Sequence, residues 1–179
     1  MIPQAGLFLL ETVTSFLGLA LLLRFFMQAF RTSFNNPVGT FVVELTNWLV
    51  RPLRRVLPGF WGLDVASLLP AYVLQVIVVC GELSLLGNRS LWSPEMLWLL
   101  VFWRAALLTL RLSIYLLIAA LLLQAVLSWV QPYSPLYQAA SQITRPFLRP
   151  IQRVLPPIGG VDLSPLLVIV LAQLVLMFL

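Results

Sequence analysis

One nineteen-residue cassette occurs twice in this chain, each time between hydrophobic stretches. The first copy runs from Arg51 to Leu69 and the second from Arg149 to Leu167, and they align without a gap at an offset of 98 residues. Ten of the nineteen pairs are identical. They include Arg51 with Arg149, Pro52 with Pro150, the run Arg55-Val56-Leu57-Pro58 with Arg153-Val154-Leu155-Pro156, and Asp64 with Asp162. A repeat of this kind constrains the architecture before any single element is assigned. One unit, a basic loop followed by an apolar helix, is used twice in the same order.

The surroundings of the cassette are those of a membrane protein. The chain is 61% hydrophobic and 9% charged, with a mean hydropathy of +1.00, which excludes a soluble globular domain. All eleven basic residues are arginine, and the net charge is +5. In a soluble protein such a charge would point to nucleic acid. Here it reflects the collection of basic residues on the cytoplasmic side, against anionic lipid, and no nucleic-acid contact is expected. No Lys or Arg precedes Arg24, so the first apolar run reads as a retained membrane helix and not as a signal peptide.

Residues 6–30, 65–86 and 163–179 each meet the need for roughly 17–25 mostly apolar residues. Residues 95–130 contain neither Gly nor Pro and would form one helix about 50 Å long, against a hydrocarbon core of about 30 Å. Arg104 and Arg111 fall in its first half, where a charge is costly. The span is therefore expected at 112–130, with 89–111 a connecting helix that lies in the interface or extends the span. Arg31, Arg51, Arg54, Arg55, Arg145, Arg149 and Arg153 all lie in the two cassette loops. The positive-inside rule then places both loops in the cytoplasm, both termini in the periplasm and two crossings between the loops. The expected fold is an all-α integral membrane protein of about four transmembrane helices in two tandem parallel repeats, 1–88 and 112–179.

Each basic loop begins with an amphipathic stretch. Val38, Phe41, Val42, Leu45, Leu49 and Val56 recur at helical spacing in the first, and Leu136, Ala140, Ile143, Phe147 and Ile151 in the second. Apolar on one side and arginine on the other is the pattern of a helix lying in the membrane interface. Arg51, Arg54, Arg55, Arg145, Arg149 and Arg153 are the candidate contacts to anionic headgroups or to a partner. Pro52, Pro146 and Pro150 are expected to break or kink these helices. Trp48, Trp61, Trp92 and Trp129 read as interface anchors.

Asp64 and Asp162 each precede a span. As helix caps they would satisfy free amides and suit the positive end of the dipole, with ion-pair partners among Arg51, Arg55, Arg149 and Arg153. The sharper alternative is an ion or proton site. Ser164, followed by Pro165, is a second candidate cap. Arg24, near the end of the first span, either snorkels to the interface or marks a transport path. Gln75 and Gln173 are matched by the repeat and lie inside spans, where an interhelical hydrogen bond or the lining of a pathway would occupy them. Cys80 reads as a small packing residue. With no histidine or lysine and few carboxylates, there is no acid/base, nucleophile, metal or cofactor constellation, and an enzyme is not expected.

With the double cassette, the Gly159-Gly160-Val161-Asp162-Leu163-Ser164-Pro165 stretch and Asn35-Asn36-Pro37 before the first amphipathic run, the chain resembles the YggT family of bacterial inner-membrane proteins, also called YlmG-like. The second repeat has Ser134-Pro135 where the first has Asn36-Pro37, and the first has Asp64-Val65-Ala66-Ser67 where the family has Asp-Ser-Pro. The resemblance implies a location in the inner membrane and links to osmotic stress tolerance, cell division, nucleoid distribution or plastid cytochrome assembly. It carries no catalytic role onto any residue. Two functions follow as expectations. One is a non-enzymatic scaffold that binds the anionic leaflet and other membrane proteins or copies of itself. The other is a component of a small oligomeric channel or transporter for ions or osmolytes.

Overall fold

The computed structural model describes residues 2–57, 63–85, 94–154 and 162–179; Trp61, Trp92 and the cassette stretches 58–62 and 155–161 lie outside them. The described residues form six helices: α1 (Ile2–Ala29), α2 (Pro37–Val56), α3 (Val65–Leu85), α4 (Pro94–Val130), α5 (Pro135–Val154) and α6 (Ser164–Phe178). α1, α3 and α4 are long and apolar enough to cross a membrane, and α6 is a shorter apolar helix. This is the expected all-α arrangement in two tandem units.

The repeat is exact at the amphipathic helices. α2 and α5 both have 20 residues, and their first prolines, Pro37 and Pro135, stand 98 residues apart. The local chemistry explains the shared boundary. Asn36 Oδ1 accepts a hydrogen bond from the Gly39 amide at 2.8 Å, and Ser134 Oγ accepts one from the Tyr137 amide at 3.1 Å. Each cap satisfies a free first-turn donor, and the proline after it has no donor to leave unpaired.

The expected break at the internal prolines does not occur. α2 runs through Pro52, and α5 runs through Pro146 and Pro150. All three are exposed, so the carbonyls they free lie on the polar side of the helix, where other groups can hydrate them. α1 stops in a different way. Thr32 donates to the Met27 carbonyl at 2.7 Å and Arg31 to that of Gln28 at 3.0 Å, with Arg31 in the left-handed region at φ 52. That is the reverse-turn cap usually built on glycine.

α4 joins residues 94–111 to the span expected at 112–130. It is one unbroken helix of 37 residues, about 55 Å long at 1.5 Å per residue. Its first part packs along α3, where Val79, Val101 and Ala105 form a buried cluster. Tyr72 donates its hydroxyl to the Phe102 carbonyl at 3.0 Å, and Glu82 pairs with Arg104 at 3.1 Å. Glu82 thus gives Arg104 the partner that its own helix does not supply. Further along, Leu21, Leu22, Val50, Ala66 and Ala71 make the core where α1, α2 and α3 meet, with Leu112 and Leu116 of α4 against it. Leu121, Leu148 and Val168 join α4, α5 and α6.

Candidate functional site

The polar residues of the first repeat converge where α1, α2 and the start of α3 meet. Arg24 is 4% exposed. Its Nη1 donates to Thr46 Oγ1 at 2.7 Å and its Nη2 to Asn47 Oδ1 at 3.1 Å. Arg24 does not snorkel. It ties α1 to α2, and its Nε has no partner among the described residues. Asp64, also buried, receives Arg54 Nη2 at 2.5 Å and Nε at 3.2 Å, and the Ser67 hydroxyl at 2.6 Å. Arg54 Nη2 also donates to Gln28 Oε1 at 2.7 Å. The partner of Asp64 is thus Arg54, not Arg51 or Arg55. The geometric reason is helical phase, which turns residue 54 toward the start of α3.

Asp64 shows two opposing influences. Burial pushes its carboxyl up, but hydrogen bonds from Arg54 and Ser67 and the charges of Arg54 and Arg24 outweigh it and hold the group below the ordinary carboxylate range. Two arginines therefore share one carboxylate, which leaves the cluster with an excess positive charge. Its role is an ion pair and not a cap on backbone amides.

The second repeat copies the scaffold and neutralises the cations. Thr144 stands 98 residues after Thr46 and bonds Gln124 of α4, as Thr46 bonds Arg24 of α1. Gln152 stands where Arg54 does, and its Nε2 donates to Asp162 Oδ2 at 2.8 Å. Neither Arg149 nor Arg153 takes the expected role. Asp162 Oδ1 accepts the Ser164 amide at 2.9 Å. Burial pushes the Asp162 carboxyl up, while hydrogen bonds from Ser164 and Gln152 bring it below the ordinary range. Ser164 is not the cap expected of it. Leu163 occupies the cap position without a side-chain bond, and Ser164 is buried one residue further on.

The two matched glutamines part company. Gln75 is 3% exposed, and its Nε2 has no hydrogen-bond partner among the described residues. It lies against Gly18 of α1, so the expected interhelical bond is not made. Gln173 is exposed on α6. Arg51, Arg54, Arg55, Arg145, Arg149 and Arg153 are all exposed, but Arg54 is held by Asp64 and Gln28. The apolar faces of α2 and α5 are not free for lipid throughout. Val42, Val50, Ile143 and Leu148 are buried within the protein, while Phe41, Trp48 and Phe147 stay exposed.

Comparison with known proteins agrees with this duplicated layout. A family model described as CCB3/YggT matches residues 3–80 and 103–179, one segment for each repeat, with the second beginning inside α4. The YggT protein of Escherichia coli K12 is 40% identical over 170 residues, covering 94% of this chain and 85% of the relative. A protein of Pseudomonas aeruginosa is 37% identical over 173 residues, covering 96% and 86%. One of Haemophilus influenzae is 32% identical over 181 residues, covering 93% and 86%. No solved structure matches the chain. With both repeats matched and relatives of this similarity aligned almost end to end, the chain belongs to the CCB3/YggT family.

Proposed function

We propose that this protein is a non-enzymatic scaffold of the bacterial inner membrane, which grips the anionic cytoplasmic leaflet through α2 and α5 and holds other membrane proteins beside it. One observation carries the reading. Arg51, Arg55, Arg145, Arg149 and Arg153 project outward from two helices of the same repeat position, next to exposed Phe41, Trp48 and Phe147. The remainder of each apolar face docks the helix on the spans, so the arginines are presented on a fixed platform. Each arginine near an anionic surface contributes up to about 1 kcal/mol, and aromatic rings beside them suit the headgroup layer. Apolar packing between the spans supports a scaffold over a solute path: one cavity of about 130 Å³ is lined by Leu23, Met27, Leu116, Ala120, Leu136 and Ile143 among others, and one of about 180 Å³ by Phe26, Phe30, Ile114 and Phe147 among others.

The test is lipid retention. Full-length protein extracted in mild detergent is expected to carry more phosphatidylglycerol and cardiolipin than the membrane average. A variant with Arg51, Arg55, Arg145, Arg149 and Arg153 all changed to Gln should lose that enrichment while still accumulating, because Arg54 and Arg24, which tie the helices together, are left in place. Equal enrichment in both proteins would remove the arginines from the proposal.

A further inference from the structure

We propose that α6 is the contact helix of a homodimer, in which Leu166, Val170, Gln173 and Met177 of one copy pack against the same stripe of a second copy. Leu166, Val170 and Met177 are 63%, 46% and 81% exposed, and Gln173 is exposed with them. Their spacing of four, three and four residues is that of the two seam positions in a heptad, which brings them into one line along the helix. A single polar residue in such a seam fixes register between helices.

Depth makes the glutamine informative. Gln173 is the tenth of the fifteen residues of α6, about 14 Å from the start of a helix only about 22 Å long. With the start of α6 at one face of a hydrocarbon core of about 30 Å, that position falls near mid-depth, where a short amide does not reach water. A glutamine turned toward lipid there leaves two donors and an acceptor unpaired. The repeat shows what such a stripe meets when it is covered. The residues 98 positions earlier are Leu68, Tyr72, Gln75 and Val79. On α3, which packs on α1 as well as α4, Gln75 and Val79 are buried. α6 packs on α4 and α5, and its matching stripe faces outward.

The occupant is a second copy because the stripe is self-complementary. An amide both donates and accepts, so two Gln173 side chains related by a two-fold axis along the membrane normal satisfy one another. The apolar neighbours then meet their own images. The inference does not rest on the arginine platform, and the outcome of either test leaves the other standing.

The experiment uses the whole chain in its native membrane, with Cys80→Ala to remove the one cysteine. Single cysteines are placed at Val170 and Met177 on the stripe, and at Leu167 and Leu174 on the adjoining exposed face. Mild oxidation is expected to give a species of twice the chain mass at Val170 and Met177 and several-fold less at Leu167 and Leu174. Adding Gln173→Leu to the Val170→Cys protein should cut the dimer about three- to tenfold, the effect of losing two interhelical hydrogen bonds in lipid, and Gln173→Asn should restore part of it. Gln173 makes no hydrogen bond within the described chain, so Gln173→Leu is expected to accumulate normally, and its loss would count against the proposal. Uniform cross-linking around α6, no product at the stripe, a product of another mass, or a dimer indifferent to Gln173→Leu would each overturn it.

Discussion

Asp64 and Asp162 hold the same position in two copies of one cassette but have different neighbours. Asp64 is bonded by Arg54 and feels the charge of Arg24 as well, whereas Asp162 is bonded by neutral donors. Asp64→Asn should therefore cost about 1–3 kcal/mol, less than a fully buried pair because Arg54 is half-exposed, since it leaves Arg24 and Arg54 facing each other unopposed. Asp162→Asn should stay within about 0.5 kcal/mol, because the Asn oxygen still accepts from the Ser164 amide and Gln152, exposed and free to turn its amide over, can accept from the Asn NH2. Thermal unfolding of the purified variants separates the two. Acid provides the second axis. Asp64 is held below its ordinary range when folded, so its contribution is complete above roughly pH 4 and is lost as the pH falls through its lower folded value. The wild-type melting temperature should drop on that descent, and the drop should be smaller in Asp64→Asn.

At the scale of the element, the docking of α2 depends on Gly39. A Cβ there would lie 2.7 Å from the Phe34 carbonyl oxygen and 2.9 Å from Phe34 Cα. Both are backbone atoms with little freedom to retreat. Helix propensity alone favours alanine over glycine by up to about 1 kcal/mol. Gly39→Ala is nevertheless expected to destabilise the protein by about 1–3 kcal/mol through overpacking. Gly81→Ala, whose Cβ would meet only the side-chain ends of Leu10 and Leu7, should be close to neutral. The same scale shows what was legible in the sequence. Apolar length located α1, α3 and α6, and helical period located α2 and α5, because burial of one face is the dominant force on each. Residues 94–111 are helical, as expected of the connecting helix, but the pairing of Arg104 was not legible, because its partner Glu82 lies on another helix. The Arg24–Thr46 and Gln124–Thr144 contacts were missed for a different reason. The connection between α1 and α2 is longer than that between α4 and α5. Arg24 is therefore matched in space by Gln124, 100 residues on, and not by Leu122 at the offset of the cassette.

For the whole molecule, the proposed sidedness follows if α3 and α4 each cross once between the two cassettes. With Cys80→Ala as background, cysteines at Ser33 and Ser141 should both be protected from an impermeant maleimide in intact cells, and both should label after permeabilisation. Labelling of one and not the other from outside would sink the arrangement of two parallel units.

α4 gives the duplication an unexpected property. Its later part plays in the second unit the role that α1 plays in the first, yet its earlier part closes the exposed side of α3 by seating Val101 and Ala105 on Val79. The boundary between the copies therefore runs along the middle of a rigid rod. A gene cut between the two units would encode a first half with a bare flank and a second half carrying an unsupported length of helix.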